Sequence, residues 1–369
     1  MINTKDFIVN LIEHNFTFFS GVPDSLLSPL ISEIEKSKKI KLTITPNEGH
    51  AIALGIGYHL KTKKIPVAFL QNSGLGNIIN PLTSLVNDKI FDIPFLFLIG
   101  WRGEPGVNDE PQHVFQGEVT IKQLELLNIE YFVVNAETFD EEIFNFLENA
   151  DNKSKQIALI FTKGSLPNSK FKYEEFLNFP KRVDYLDMLT DLLPKDAVVL
   201  STTGKLSREL YTLRKQKKQI NNDFYTIGGM GYTSTIALGI CEEENNKLVV
   251  CLDGDGSILM QLGSLALIGR KNPKNLIHIL FNNFSHQSVG GQPTHSEMVD
   301  FSQVVKGFGY LNYKKISNLE DFKLELKNFK NYKELTFIEL NTQNNSIENL
   351  MRPDLSPKEL KSNFMDHIE

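Results

Sequence analysis

The sequence has little cysteine, a single tryptophan and no long apolar run. Cys241 and Cys251 are the two cysteines among 369 residues, and both lie in apolar segments without C-x-x-C spacing. A disulfide framework is therefore excluded, and we expect free thiols in a reducing cytoplasm. Because neither an 18-residue apolar span nor a basic-then-apolar N-terminal signal is visible, we expect a cytoplasmic protein that does not associate with membranes.

Positive charge is also scarce. Lys and Arg number 39 against 45 Asp and Glu, a formal net charge of −6, which argues against nucleic acid as a partner. The GxxxxGK[ST] pattern of P-loop NTPases is absent. Gly74 and Gly76 form half of a dinucleotide-binding fingerprint, but Ile79 stands where the third glycine belongs, which argues against hydride transfer with NAD.

Apolar runs of strand length alternate with helical periodicity along the chain, and the length suits about two domains. Residues 166–182 are rich in proline and lysine and have little periodicity, so we interpret them as a linker. The sequence thus predicts two doubly wound α/β domains, at 1–165 and 183–369, built on the same plan. The polar end after about residue 346 is expected to be a closing helix or a loose tail.

The stretch from 248 to 291 has the pattern strand, Gly-rich turn, helix, strand. The first strand ends before Gly254-Asp255-Gly256-Ser257, and the second ends in Asn282-Asn283. Consecutive parallel strands place both turns at one edge of the sheet. Asp255, Asn283 and a loop carbonyl would offer Mg²⁺ its preferred oxygen ligands, and the free N–H groups at the helix start suit a phosphate. For GDG alone, an ordinary Gly- and Asp-rich turn is an equally good interpretation.

Three further elements allow two interpretations each. Glu48 begins a Gly- and Ala-rich helix, where an acid is favoured by the helix dipole even without a function. Thr203 and Gly204 follow a strand and could bind a diphosphate, or they could form a type I turn. The segment 227–231 contains Gly228 and Met230 and is at least a strand-to-helix turn in which glycine permits unusual dihedral angles.

The spacing of GDG and NN resembles the thiamine diphosphate (ThDP) motif, and the resemblance extends over about 15–365. The blocks GVPDSLL, NEGHAIALGIGYHL, IGWRGEPG, DEPQH and HQSVGGQPT resemble the phosphonopyruvate decarboxylase family of ThDP-dependent 2-oxo acid decarboxylases. The resemblance implies a pyrimidine-binding (PYR) and a pyrophosphate-binding (PP) domain without a middle domain. It also implies active sites between subunits, and hence a homodimer or larger assembly. The GDG-to-NN spacing is one residue longer than in typical pyruvate decarboxylases.

The resemblance also implies roles in cofactor binding. Asp255, Asn283 and the Ser285 carbonyl would hold Mg²⁺. Glu48 would hydrogen-bond N1′ of the cofactor's pyrimidine, the Gly228 carbonyl would accept from the 4′-amino group, and the Met230 side chain would wedge between the two rings. Further contacts to the cofactor are expected from Thr203, Gly204, Gly254, Gly256, Ser257 and Asn283.

The reaction implied by the resemblance is the conversion of 3-phosphonopyruvate to phosphonoacetaldehyde and CO₂ through a ThDP ylide and enamine, a step of phosphonate biosynthesis. Asp24 and His113 correspond by motif to general acid/base groups. Arg102 is the first candidate for the phosphonate, because a guanidinium fork matches its oxygens. The other candidates for the substrate are Lys205, Arg208, His286 and Gln292.

Several alternative functions remain at this point. A sulfopyruvate decarboxylase would share the fold and cofactor, and a carboligase would share the first chemical steps. A non-catalytic Mg²⁺-nucleotide or phosphate-binding regulator would need GDG and NN, but it would have no use for Glu48 or for the Gly228–Met230 element.

Overall fold

The computed structural model describes residues 1–151, 156–167, 177–243, 247–347 and 349–369. The chain divides into two compact units, each treated by itself below. The first comprises Met1–Lys172 and Val289–Gln292, and the second comprises Tyr173–Ser288 and Pro293–Glu369. Most of the predicted linker at 166–182 lies outside the described residues, so the domain boundaries at 165 and 183 stay predictions.

The first unit contains a sheet of six parallel strands in the order β2-β1-β3-β4-β6-β5. Its strands are β1 (Phe18–Gly21), β2 (Lys41–Ile44), β3 (Val67–Gln71), β4 (Phe95–Gly100), β5 (Glu130–Val134) and β6 (Gln156–Phe161). Every residue of β4 and β6 is buried. A sheet covered by helices on both faces produces this continuous apolar pattern.

The second unit contains another parallel six-stranded sheet, in the order β8-β7-β9-β10-β12-β11. Its strands are β7 (Val198–Ser201), β8 (Phe224–Tyr225), β9 (Val249–Gly254), β10 (Leu276–Asn282), β11 (Asn312–Ile316) and β12 (Thr336–Asn341). The connectivity is that of the first sheet, which confirms two doubly wound α/β units of one plan. In each sheet the strand order reverses beside the first strand, the place where such folds bind ligands.

Helices connect the strands and cover the sheets, and none in the described part of the chain is long and apolar enough to cross a bilayer. In the first unit they are α1 (Thr4–Glu13), α2 (Ser28–Lys36), α3 (Glu48–Thr62), α4 (Leu75–Pro81), α5 (Pro111–Leu126) and α6 (Asp140–Asp151). In the second unit they are α7 (Arg182–Leu192), α8 (Lys205–Gln216), α9 (Thr233–Glu243), α10 (Asp255–Met260), α11 (Ser264–Lys271), α12 (Phe301–Gly307), α13 (Leu319–Asn328) and α14 (Pro357–Ile368). The helix α14 fulfils the expectation of a closing helix.

Two strands differ from the sequence-based expectation. The run 224–228 reads as a full strand, but β8 has only two residues because the chain turns into the glycine-rich segment that follows. The strand β11 escapes prediction because its sequence, NYKKI, lacks an apolar alternation. It is an edge strand, and charged side chains on an edge protect it from pairing with other chains.

A buried ion pair joins the first two helices of the second unit. Arg182 Nε donates to Glu209 Oε2 at 2.6 Å, and the two side chains are 6% and 1% exposed. A second guanidinium nitrogen, Nη2, donates to Gln287 Oε1 at 3.1 Å. Since the charges lie outside the reach of water, each depends on the other for its compensation.

We expect Arg182→Met to lower the free energy of unfolding by about 3 kcal/mol, because the Glu209 carboxylate would remain buried without its cation. Urea denaturation measures this. Lys215→Met, which removes the exposed pair of Lys215 with Asp354, is the control and should change stability little. The double variant R182M/E209L should recover much of the loss; equal losses in the single and double variants would contradict this account.

Candidate active site

The predicted metal ligands lie at the carboxyl edge of the second sheet. The strands β9 and β10 are neighbours, and Phe281 is in register with Gly254. Asp255 and Asn283 follow these paired residues by one and two positions, so the parallel arrangement brings them to the same edge. Their side chains are almost fully buried, as is Ser285.

The Asp255 carboxylate is held by two hydroxyl groups. Oδ2 accepts from Thr294 Oγ1 at 2.5 Å and from Ser296 Oγ at 2.9 Å, and Ser296 Oγ also lies 2.8 Å from Asn282 Oδ1. Burial raises the pKa of Asp255 to about 6 against the opposing effect of these hydrogen bonds. A cation at this carboxylate would favour its ionised form and remove the cost of burial.

The oxygen atoms present at this edge fit a hard cation. One carboxylate, the Asn283 amide and the Ser285 carbonyl form a set of the type that Mg²⁺ accepts. The Asn283 oxygen Oδ1 also accepts from the Ser285 N–H at 3.2 Å, which fixes the loop that carries the carbonyl. The oxygen chemistry of these residues therefore suits Mg²⁺, and their role as its ligands stays a prediction.

The turns after β7, β8 and β9 are hydrogen-bonded to one another. Ser257 Oγ lies 2.9 Å from Thr202 Oγ1 and accepts from the Gly231 N–H at 2.9 Å. Thr203 Oγ1 donates to the Ile227 carbonyl at 2.9 Å. The three segments predicted to bind the cofactor (Thr203–Gly204, Gly228–Met230 and Gly254–Ser257) thus form one continuous surface, with Met230 half-buried.

Two residues of the predicted substrate loop are buried. His286 lies against Gly256, and burial together with the charge of His295 lowers the pKa of His286 to about 4, so its imidazole is neutral at neutral pH. Gln292, in the segment grouped with the first unit, is fully buried, and within the described residues its amide nitrogen and oxygen have no hydrogen-bond partner. A buried unsatisfied amide is costly unless a ligand or water completes it.

In the first unit, Glu48 begins α3 and is 6% exposed. Its Oε2 accepts from Asn77 Nδ2 at 2.7 Å. Burial raises the pKa of Glu48, and the Asn77 hydrogen bond partly opposes the rise. Burial disfavours the charged form of Glu48, which distinguishes it from an exposed acid that merely complements the helix dipole.

Asp24 is fully buried at the end of β1. Its Oδ2 accepts from the N–H groups of Leu26 at 2.8 Å and Leu27 at 3.1 Å, while Oδ1 has no partner among the described residues. Burial raises the pKa of Asp24, opposed by these N–H groups and by the charge of Arg102. Gly100 is required here, because a Cβ at this position would overlap the Asp24 carboxylate.

Arg102 is already paired with a carboxylate. Its Nε and Nη2 donate to Asp109 at 2.7 and 2.5 Å, and Nη1 donates to Ser25 Oγ at 3.1 Å. The hydrogen bonds from Arg102 hold the pKa of Asp109 well below its usual range despite partial burial. The two-pronged face that would match a phosphonate is therefore occupied, and the role expected for Arg102 is weakened.

His113 lies in the first turn of α5, in the electrostatic range of Arg102. Burial and the charge of Arg102 lower the pKa of His113, which favours a neutral imidazole. The loop that leads to it is anchored by Asn72, whose Nδ2 donates to the Arg102 carbonyl at 2.8 Å and whose Oδ1 accepts from the Arg102 N–H at 3.1 Å. Asp24, Arg102 and His113 thus belong to one cluster.

The two cationic substrate candidates in the second unit, Arg208 and Lys205, differ in their contacts. Arg208 donates to the backbone carbonyls of Leu350 at 2.7 Å and Met351 at 3.3 Å, so it secures the C-terminal segment. Lys205 is half-buried at the start of α8 and has no hydrogen-bond or ion-pair partner among the described residues. Burial and the nearby Arg182 and Arg208 lower the pKa of Lys205. A bound anion would offset the cost of burying the Lys205 ammonium group and its repulsion by the two guanidinium groups.

Comparison with known proteins identifies the family. Residues 2–126 match the N-terminal and residues 202–340 the C-terminal TPP binding domain of thiamine pyrophosphate enzymes. The phosphonopyruvate decarboxylase of Streptomyces viridochromogenes is 33% identical over 99% of this chain and 94% of its own length. The chain belongs to the phosphonopyruvate decarboxylase family of ThDP enzymes. It is a ThDP-dependent decarboxylase of two α/β domains.

Sulfopyruvate decarboxylases are related to this family member as well. The enzyme of Methanosarcina acetivorans is 29% identical over 93% of this chain and 91% of its own length. The beta subunit from Methanocaldococcus jannaschii is 34% identical over 52% of this chain and 98% of its own length. The two TPP binding domains matched in this chain support ThDP as the cofactor.

Several polar residues of this site were not identified from the sequence. They are the partners of the predicted residues: Asn72, Asn77, Asp109, Thr294 and Ser296. Asn77 lies in the first turn of α4, and the other four lie in loops or short 3₁₀ turns, where a single sequence offers no periodicity. Thr294 does belong to the block HQSVGGQPT that carries the family resemblance, and Asp109 begins DEPQH.

We expect Asp255→Ala to lose bound Mg²⁺ and ThDP during purification, because the charged oxygen of the metal set would be missing. Metal analysis and thiochrome fluorescence measure the two contents. Asp255→Asn, which retains an oxygen for Thr294 and Ser296, separates charge from packing and should lose the metal too. Stoichiometric Mg²⁺ and ThDP in both variants would refute the assignment of Asp255.

Proposed function

We propose that this enzyme decarboxylates 3-phosphonopyruvate to phosphonoacetaldehyde and CO₂ in phosphonate biosynthesis. The observation that carries the proposal is the 33% identity to phosphonopyruvate decarboxylases of two Streptomyces species, each over 99% of the chain. The chemistry of each unit is consistent with it, because the first unit carries buried acids and the second carries oxygen atoms and turns suited to a metal and a diphosphate.

In the second unit, Asp255, Asn283 and the Ser285 carbonyl would hold Mg²⁺, and the turns of Thr203–Gly204 and Gly254–Ser257 would hold the diphosphate. Gly228 and Met230 would contact the pyrimidine side of the cofactor. When bound, ThDP supplies an electron sink that accepts the electron pair released as CO₂ leaves. Glu48 would hold the proton that the pyrimidine nitrogen requires. Burial raises the pKa of its carboxyl group, which favours the protonated form.

Asp24 and His113 would serve as the general acid/base groups. Burial raises the pKa of Asp24, which favours its protonated form, and lowers that of His113, which favours a neutral imidazole that can accept a proton. A proton donor and a proton acceptor are both needed, because carbon is protonated and the product carbonyl then forms. Asp24, with Oδ1 unpartnered among the described residues, is the better donor.

Lys205 is the best candidate for the phosphonate dianion. Arg102 is bound to Asp109 and Arg208 to backbone carbonyls, whereas Lys205 is half-buried and unpaired within the described residues. It follows Gly204 directly, so the diphosphate of ThDP is an alternative ligand of the same chemistry. His286 and Gln292 would contribute a neutral imidazole and an unsatisfied amide to the substrate.

Sulfopyruvate is the second candidate substrate, because sulfopyruvate decarboxylases match this chain over most of its length. A sulfonate carries one negative charge and a phosphonate up to two. An unpaired ammonium near two guanidinium groups favours the ligand with the greater charge.

We also propose a homodimer as the smallest active assembly. Apolar side chains are exposed on the helices that follow β2, β3 and β8, at Leu54, Ile79 and Ile236, each more than one third exposed. These helices carry or adjoin Glu48, Asn77 and the Gly228–Met230 element, so a partner that covered them would also close the site. Scattered apolar residues are common, but a set beside functional residues favours an interface.

With ThDP and Mg²⁺, we expect CO₂ release from phosphonopyruvate with a kcat/KM at least about tenfold above that for sulfopyruvate or pyruvate. Glu48→Gln should remove nearly all turnover while ThDP stays bound, because an amide cannot hold or release the proton. A coupled assay of the aldehyde product measures turnover, and titration with ThDP measures cofactor binding. Faster turnover of sulfopyruvate would transfer the proposal to the sulfonate, and normal kcat in Glu48→Gln would refute its role.

Lys205→Met should raise the KM for phosphonopyruvate by about tenfold or more, because one charge-assisted contact would be lost. The affinity for ThDP should stay within about twofold of wild type. Lys215→Met, an exposed lysine of the same helix, is the control. A large loss of ThDP affinity with unchanged KM would instead assign Lys205 to the diphosphate.

A further inference from the structure

The Glu48 carboxyl group is fixed on two sides by the segment that follows β3. Asn77 lies in the first turn of α4, and its Nδ2 donates to Glu48 Oε2 at 2.7 Å. Gly74 lies just before this helix, and a Cβ there would overlap Oε1, Cδ and Cγ of Glu48. One carboxylate oxygen therefore faces an amide donor while the rest of the group packs against the bare backbone of a glycine.

This arrangement makes the two oxygens chemically different. An amide nitrogen donates a hydrogen bond and cannot accept one. Oε2 must then be an acceptor whether Glu48 is charged or neutral, so the proton of the neutral acid lies on Oε1. The hydrogen bond also favours the charged form, whereas burial favours the neutral form.

The surroundings of Glu48 make this amide important. The other polar contribution to its pKa comes from its own backbone N–H, and no charged side chain among the described residues shifts it. The neighbouring Asn47 is engaged as the N-cap of α3, where it accepts from the Gly49 N–H at 2.8 Å. Asn77 is thus the side chain of the described site that orients the carboxyl.

We propose that Asn77 is a positioning residue that holds the Glu48 carboxyl in one orientation and presents Oε1, with its proton, to the pyrimidine nitrogen of the cofactor. The proposal rests on the role given to Glu48 in the proposed function. It assigns to Asn77 no contact with the substrate, so its loss should affect the rate of the reaction more than the binding of substrate.

The experiment compares Asn77→Ala and Asn77→Asp with Asn80→Ala, an exposed asparagine of the same helix that does not contact Glu48. Far-UV circular dichroism establishes folding. The readouts are kcat and KM for phosphonopyruvate, ThDP affinity from the fluorescence of the sole tryptophan, Trp101, and the near-UV circular dichroism of the bound cofactor without substrate. The last readout reports the protonation of the pyrimidine ring.

We expect Asn77→Ala to lower kcat by about tenfold, the effect of one lost charge-assisted hydrogen bond. KM should stay within about twofold, and the near-UV spectrum of the bound cofactor should change. Asn77→Asp, nearly isosteric, should lose more, since its carboxylate faces that of Glu48 and cannot donate. Asn80→Ala should match wild type in all readouts.

Wild-type kcat and an unchanged cofactor spectrum in Asn77→Ala would overturn the proposal. A fall in ThDP affinity in step with a fall in thermal stability would also overturn the proposal, because it would indicate that Asn77 acts through packing alone. If Asn77→Ala does not fold, Asn77→Asp decides by the same readouts. If the wild type fails to act on phosphonopyruvate, the proposed substrate is refuted, but the cofactor spectrum still tests Asn77.

Discussion

Among the described residues, Asp24, Glu48 and Asp255 are buried carboxyl groups at or just beyond the ends of parallel strands, and none of them is hydrogen-bonded to a cationic side chain. Water is excluded from each, so each is held by neutral donors: backbone N–H groups, an amide or hydroxyls. Burial raises the pKa of all three. Burial thus favours the protonated form of Asp24 and Glu48, and a cation beside Asp255 would favour its ionised form.

Close backbone approach makes this burial possible. Gly74 leaves space for Glu48, and Gly100 leaves space for Asp24, since a Cβ at either position would overlap the carboxyl group. The acids therefore depend on glycines that lie 26 and 76 positions further along the chain. The parallel pairing of β2, β1, β3 and β4 brings these segments together.

The two sheets share one connectivity but carry different functional groups at their carboxyl edges. In each unit, three strands end in polar segments that contain candidate site residues. They are β1, β3 and β4 in the first unit and β7, β9 and β10 in the second. In the second unit these ends offer oxygens and turns suited to a metal and a diphosphate. In the first unit they carry Asp24, Asn72 and Arg102, and Glu48 begins the helix after β2. One fold thus presents oxygens suited to a metal at one edge and buried acids at the equivalent edge of the other sheet.

The α/β class, the repeated plan and the GDG and NN turns are predictable from the residues alone, because long buried strands and glycine-rich turns have strong local patterns. The sequence also identified the family through whole blocks of residues. It did not identify the edge strand β11, whose lysines hide the apolar pattern, or the shortness of β8. Only the tertiary structure decided which charges are paired. Arg102 reads as a free guanidinium until Asp109 is seen to occupy it. Lys205 and Arg208 are equal substrate candidates until Arg208 is seen to bind backbone carbonyls, whereas Lys205 has no partner among the described residues. Such pairings join residues from separate loops, and periodicity carries no information about them.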